Sequence, residues 1–310
     1  MKIFHSLSDF HSNQKTILTI GTFDGVHLGH KKILQRILNN TDANTQSIVI
    51  TFAQHPRTIL QSEYDIKLLN TTEEKINQLE KSGIDSLLIL EFNSALSNLT
   101  GEEFVKNILV DKLHLQKIII GYDHKFGKNR SSDIHDLIHF GKKYHFDVEQ
   151  ISAEELNEIT ISSTKIRNAI LNGEIELANK YLGYTFSFTG QVVKGNQIGR
   201  TINFPTANIE VKDSEKILPK NGVYIVEGIW NGKSHIGMMN IGVKPTLNDA
   251  KKTIEVHFLD LNEDLYNKTL TIAVHQFIRD EQKFNSIEEL KHQLSKDKET
   301  TLRYFNTLNI

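Results

Sequence analysis

The chain has 310 residues, 38% of them hydrophobic, enough to build ordinary cores in about two domains. Its 36 Lys and Arg against 38 Asp and Glu leave a net charge of −2, which excludes a broad electrostatic surface for nucleic acid, so any basic site must be local. There is no cysteine, which excludes disulfides, thiolate chemistry and cysteine zinc sites together.

At the N-terminus, Met1–Asp9 lacks the apolar core and small-residue cleavage site of a leader. No later run approaches membrane-spanning length, so a cytoplasmic protein without a membrane partner is expected. Short Ile/Leu/Val-rich runs then predict strands at Thr16–Gly21, Ser47–Phe52, Ser86–Glu91, Lys117–Gly121 and Asp147–Ile151. Between them, helical patterns run over Leu28–Asn39, Thr72–Ser82, Thr100–Leu113 and Ser132–His145. Thr71-Thr72-Glu73-Glu74 and Thr100-Gly101-Glu102-Glu103 put a capping hydroxyl and early carboxylates where helices start. The alternation predicts an α/β domain with an open, doubly wound parallel sheet, whose ligands sit beyond the carboxyl ends of the strands.

Three clusters lie at such ends. The first is Gly21-Thr22-Phe23-Asp24-Gly25-Val26-His27-Leu28-Gly29-His30, between the first strand and first helix. His27 and His30 are three apart and share a face of the opening turn, where unpartnered backbone N–H groups and the positive helix dipole favour polyphosphate. The second is the Gly-bounded loop from Gly121 to Arg130, holding Asp123, Phe126, Gly127 and Arg130. The third is Ile161-Ser162-Ser163-Thr164-Lys165-Ile166-Arg167, where hydroxyls cap a helix and Arg167 lies one turn in, an anion site in composition. Each cluster alone is commonly a plain turn or cap; three in order at strand and helix ends point to a nucleotide.

Two short helices, Ser163–Leu171 and Ile175–Leu182, precede a change of pattern near Leu182–Thr185, so domains are expected at 1–183 and 184–310. From about 185 to 280 the period becomes two: Ile254, Val256 and Phe258 alternate with Glu255 and His257, and Leu270, Ile272 and Val274 repeat the pattern. Trp230-Asn231-Gly232-Lys233 reads as a tight hairpin turn. An all-β antiparallel barrel is expected, closed by a terminal helix over Ser286–Phe305. No Walker-type phosphate loop occurs.

The three clusters resemble the signatures of the nucleotidyltransferase superfamily. With Gly190–Arg200 and Phe204-Pro205-Thr206-Ala207-Asn208 added, nearly the whole chain resembles the bifunctional riboflavin kinase/FAD synthetase of bacteria. The resemblance implies two steps: riboflavin and ATP give FMN, then FMN and a second ATP give FAD and pyrophosphate. It implies that His27, His30, Ser163, Thr164 and Arg167 bind and neutralise ATP phosphates, with Gly21, Phe23, Asp24, Asp123, Phe126, Gly127, Arg130 and Ser162 around the same ligands. Phe52-Ala53-Gln54-His55-Pro56 matches a further family segment beside that site. In the second half it implies Mg²⁺ on Thr206 and Asn208, and a loop Gly195–Thr201, with Gly199 and Arg200, over ATP. Asn240–Thr246 matches a core loop. Glu255 is expected as the base for the riboflavin hydroxyl, and Arg279 and Phe284 as flavin contacts.

Four positions depart from the family pattern: His124 where an aromatic is usual, and Ser132, Asn203 and Asn267 where glycine is common. Asn is the best-tolerated substitute for glycine at positive φ. The alternative readings are a single-activity riboflavin kinase or an adenylyltransferase of another small phosphate compound, and a flavin-binding protein without turnover.

Overall fold

Residues Ile48 and Val49 show how the first half is built, because they point to opposite faces of one strand and both are fully buried. In the computed structural model, which describes all residues except 55–65, 157–160, 196, 246–249, 262 and 309–310, the chain divides into two compact units, Met1–Ser163 and Thr164–Ile310.

In the first unit six parallel strands lie in the order β1-β4-β3-β2-β5-β6. They are β1 (Lys2–Phe4), β2 (Lys15–Ile20), β3 (Thr45–Phe52), β4 (Ser86–Leu90), β5 (Leu115–Gly121) and β6 (Asp147–Ile151). Alternate residues feed two cores. Leu18, Ile20, Ile48, Ile50, Leu88, Ile118 and Ile120 pack with Phe104, Val105, Leu109, Leu137 and Phe140. Ile17, Val49, Leu87, Ile89 and Ile119 pack on the other side with Ile33, Leu34, Ile37 and Leu79. Helices therefore cover both faces, as continuous apolar strands require.

Five strands fall where the sequence predicts them. The sixth, β1, was not expected: three residues carry too little pattern, and its register (Lys2 beside Ser86) is set by the neighbouring strand. The helix expected over Thr100–Leu113 opens with a complete capping box between Thr100 and Glu103, then widens over Phe104–Val110, where Asp111 N–H reaches the Lys106 carbonyl five residues back.

The second unit holds a closed barrel in the order β10-β11-β8-β7-β12-β9. Its strands are β7 (Ser187–Val193), β8 (Ala207–Glu210), β9 (Gly222–Trp230), β10 (Lys233–Pro245), β11 (Ala250–Phe258) and β12 (Thr269–Arg279), all paired antiparallel. Asn231 (φ 50°) and Gly232 (φ 72°) form the two-residue hairpin that matches strand twist. Ile254, Val256, Phe258, Leu270, Ile272 and Val274 fill the interior. The helix Ile287–Leu308 ends the chain. The helix Ile175–Leu182 packs on β12, where the Asn179 amide donates to the Val274 carbonyl (3.0 Å) and accepts from Phe186 N–H (2.7 Å).

Candidate active sites

The strand order of the first unit reverses at β2: β3 lies on one side and β5 on the other. Ligands of open α/β sheets bind beyond the carboxyl ends at such a reversal. The loop Gly21–His27 leaves β2 there, and the loop from Tyr122 leaves β5 beside it.

The first loop is strained. Phe23 (φ 48°), Gly25 (φ 86°) and Val26 (φ 35°) all sit on the left-handed side, a rare state for a β-branched residue. The Phe23 and Val26 side chains are sunk in the core with Ile17 and Ile33, which pins the loop. Its last residue, His27, caps the helix Leu28–Asn40: its Nδ1 accepts from His30 N–H at 3.4 Å. The two imidazoles stack at 3.8 Å between centroids, and His30 also tilts over Phe23 at 4.9 Å. The pKa of His30 is held well below the ordinary histidine value, first by burial, then by His27 and by Lys75. The ring is therefore neutral at pH 7.

Asp24 is 3% exposed and joins three parts of the site. Its carboxylate accepts from Leu69 N–H (2.8 Å) and Asn70 N–H (3.3 Å), and its carbonyl accepts from the Ser163 hydroxyl (2.9 Å). The first and third sequence clusters thus meet. Ser162 is half-buried beside Ser163; Thr164 and Arg167 lie on the helix Ser163–Asn172 in the second unit.

Sequence reasoning missed Lys75. This residue of the helix Thr72–Glu80 is buried, and its ammonium donates to the Thr22 carbonyl (3.1 Å), the Phe52 carbonyl (3.2 Å) and the Thr51 hydroxyl (3.3 Å). It lines a small pocket with Thr22, Asp24, Phe52, Ala53, Gln54, Asn70 and Thr72. The signal available was a lysine four residues before Leu79, on the apolar face of its helix. His55 and Pro56, of the matched family segment, lie outside the described residues.

In the β5 loop Asp123 and Arg130 are exposed, with Arg130 at φ 56°. Phe126 turns inward instead and packs against Phe104 in the core, while its backbone pairs with Ser132 in both directions (3.0 and 3.1 Å). Gly127 (φ 72°) presses on the backbone of Gly101, where an added β-carbon would come within 2.7 Å. Ser132 fits because Gly101 lacks the β-carbon its hydroxyl would strike. His124 stacks on Phe126 at 6.0 Å, and burial lowers its pKa to about 4.

On the barrel, Glu255 stands directly across from Asn208 of β8 and Asn240 of β10, and its carboxylate accepts from the Thr206 hydroxyl at 3.3 Å. The next residue on the same face, His257, bonds the Pro205 carbonyl through Nδ1 (2.8 Å) and packs on Phe204. A β-carbon at Gly195 would run into the Asn208 amide, and one at Gly199 into the Phe204 carbonyl, so this loop lies tightly on the Phe204–Asn208 segment. Asn203 (φ 63°) and Asn267 (φ 61°) both adopt the left-handed conformation that makes asparagine the fitting stand-in for glycine. Thr246 and Asn196 fall outside the described residues.

Arg279 is committed within the fold. Its guanidinium makes a forked pair with Asp297 of the last helix (Nε to both oxygens at 3.1 Å, Nη2 at 2.8 Å) and lies 5.9 Å from the Phe284 ring. Among the described residues no three His, Cys, Asp or Glu gather to hold a metal, and no helix is long and apolar enough to cross a membrane.

Comparison with known proteins agrees with this division. The family model described as FAD synthetase matches residues 9–165, and that described as riboflavin kinase matches residues 182–305. A bifunctional riboflavin kinase/FMN adenylyltransferase of Buchnera aphidicola is 40% identical, covering 98% of each chain. Proteins of the same description from Listeria monocytogenes (37% identity, 94% of this chain and 93% of the relative) and Escherichia coli K12 (34%, 97% and 96%) also match. A crystal structure from Streptococcus pneumoniae, described as a macrolide-efflux protein, superposes with a TM-score of 0.88 at 29% identity over 96% of this chain and 97% of that one.

Proposed function

The chain belongs to the bifunctional riboflavin kinase/FMN adenylyltransferase family, and from that premise we propose how its two sites divide the chemistry. It is a transferase that phosphorylates riboflavin to FMN with ATP, then adenylylates FMN to FAD with a second ATP and releases pyrophosphate. Because both family models match, a single activity is not favoured. We assign FMN adenylylation to the first half, expected over 1–183, and riboflavin phosphorylation to the second, expected over 184–310. The family-model spans 9–165 and 182–305 support the two halves, while the compact units divide earlier, after Ser163.

In the adenylylating half, a phosphate oxygen of FMN attacks the α-phosphorus of ATP, the bond to the bridging oxygen breaks and pyrophosphate leaves. No protein nucleophile is needed, so positioning and charge neutralisation do the work. The helix start at Leu28, with His27 and His30 stacked on it, supplies N–H donors and the positive dipole end where pyrophosphate charge develops. A neutral His30 can donate one ring N–H and gain a proton as that charge grows. Ser163 orders the loop through Asp24. Thr164 and Arg167, on the helix that Ser163 opens, are assigned to ATP phosphate on the family resemblance alone. Gly21, Phe23, Asp123, Gly127, Arg130 and Ser162 shape the two loops. Phe126 acts from the core, by fixing the β5 loop.

In the kinase half, Glu255 takes the proton of the riboflavin 5′-hydroxyl as that oxygen attacks the γ-phosphorus and ADP departs. Thr206 Oγ1 and the Asn208 amide oxygen suit Mg²⁺, a hard cation that takes few protein ligands and shares the rest with water and phosphate. Bound there, Mg²⁺ would neutralise charge on the transferring phosphates. Gly195, Gly199 and Arg200 form the cover over ATP, while Phe284 meets the flavin and Arg279 fixes that edge through Asp297. We infer a cytoplasmic location, which the demand of two ATP-consuming steps supports.

The observation that carries this reading is the Thr206–Glu255 contact in the barrel together with the separate His27–His30 pair at the sheet reversal. Riboflavin and MgATP, with products separated, test it. Glu255→Gln should lower FMN formation at least about 100-fold and leave FMN-to-FAD conversion intact. His30→Ala should do the reverse. One substitution that abolishes both reactions in a folded chain overturns the two-site assignment.

A further inference from the structure

Lys75 is a costly residue where it stands. Taking an ammonium out of water is costly unless it is fully bonded. Here all three of its protons have acceptors: the Thr22 carbonyl, the Phe52 carbonyl and the Thr51 hydroxyl. Those acceptors are the carboxyl ends of two neighbouring strands. Thr22 follows β2 and Phe52 ends β3.

The same stretch of chain also holds the loop from its other side. Asp24, two residues after Thr22, accepts from Leu69 and Asn70, just ahead of the helix that carries Lys75. Thr22 and Asp24 are thus gripped by one segment, 69–75. Phe23 lies between them, and Gly25 and Val26 between Asp24 and His27, all three in the left-handed region. Such backbone is strained in the non-glycine residues and persists only where its surroundings over-determine it. Lys75 also lies near enough to His30 to disfavour its protonation.

We propose that Lys75 is a positioning residue for AMP transfer: it clamps the carboxyl ends of β2 and β3 and so holds the strained loop that presents His27 and His30 to the ATP phosphates. The proposal rests on the assignment of those histidines to the adenylylating site. It predicts an effect on turnover rather than on flavin capture, because the clamp sets how the phosphate-binding turn meets developing charge. Hydrogen bonds alone, without charge, would preserve part of it.

The chain carries its own control, since riboflavin phosphorylation takes place on residues of the other unit. Lys75→Met and Lys75→Gln are assayed in the full chain for FMN-to-FAD conversion and for riboflavin phosphorylation, beside His27→Ala. Lys75→Met should lower kcat for AMP transfer at least ten-fold, with KM for FMN within two-fold and phosphorylation unchanged. Lys75→Gln should recover part of the loss. Wild-type kcat in Lys75→Met, or a loss confined to KM for FMN, overturns the proposal. If Lys75→Met does not fold, Lys75→Gln decides: a five-fold lower kcat beside normal phosphorylation sustains the clamp, and equal rates overturn it. Intact AMP transfer in His27→Ala would instead sink the site assignment, whatever Lys75 does.

Discussion

The Ser163 hydroxyl donates to the carbonyl oxygen of Asp24 at 2.9 Å, joining two sequence clusters 139 residues apart. Asp24 belongs to the loop that ends in His27; Ser163 opens the helix Ser163–Asn172. The bond ties the two proposed anion-binding motifs together at Asp24 and Ser163. Ser163→Ala removes it at little cost in volume. A hydrogen bond of this kind is worth about 1 kcal/mol, or roughly five-fold in rate where the geometry it fixes is used in the transition state. FMN-to-FAD conversion should fall by about that factor or more, since the same hydroxyl sits at the proposed phosphate site. Riboflavin phosphorylation, measured on the same sample, should not change.

Gly195 gives a sharper steric test. Its missing β-carbon is the space into which the Asn208 amide fits, so Gly195→Ala must push either the loop or the amide away. Asn208 stands opposite Glu255 in the β8–β11 register, so the displacement reaches the proposed metal and base positions together. Phosphorylation should fall by at least ten-fold, with a raised Mg²⁺ requirement, while AMP transfer persists. A rate near wild type would show that the amide moves without consequence.

Much of this was legible in the sequence because period and punctuation are local. Alternation at Ile254–Phe258 gave the barrel face and left Glu255 opposite, and Asn231-Gly232 marked its hairpin. The loop strain at Phe23 and Val26 was not legible, because it depends on where their side chains find a core. Phe126 reads as a ligand platform among glycines and basic residues, yet it is drawn into the hydrophobic core beside Phe104. Lys75 looks like an ordinary helix lysine until two strand ends, from Thr22 and Phe52, supply its acceptors. Arg279 reads as a solvated or flavin-facing cation, and its partner Asp297 arrives only with the last helix.

That pair has an energetic consequence. Asp297 is 1% exposed and also accepts from Gln293 (2.9 Å), while its backbone carbonyl accepts from Thr301. Removing one member of a buried ion pair leaves the other charge unpaired and costs about 3–5 kcal/mol. Asp297→Ala should therefore destabilise the barrel unit by about that amount, read from its urea unfolding midpoint. Riboflavin phosphorylation should be lost at a lower temperature than FMN adenylylation. Coincident loss of both activities on heating would argue against an effect confined to this unit.

His124 sets the expected response to acid. Unfolded, its imidazole has an ordinary pKa of about 6.5; folded, burial lowers it to about 4, opposed by Asp123 and assisted by Arg130. A lowered folded value means that the unfolded chain binds the proton more readily. The stability this residue allows is complete above pH 6.5 and is lost as pH falls from there towards 4. His124→Phe removes the titrating group and keeps a ring to stack on Phe126. The substitution should change the unfolding free energy of the first unit little at pH 7.5. At pH 5 it should raise it by about 1–2 kcal/mol, after discounting for partial exposure. Urea titrations at the two pH values measure the difference, and equal gains at both would mean that packing, rather than proton uptake, sets the effect.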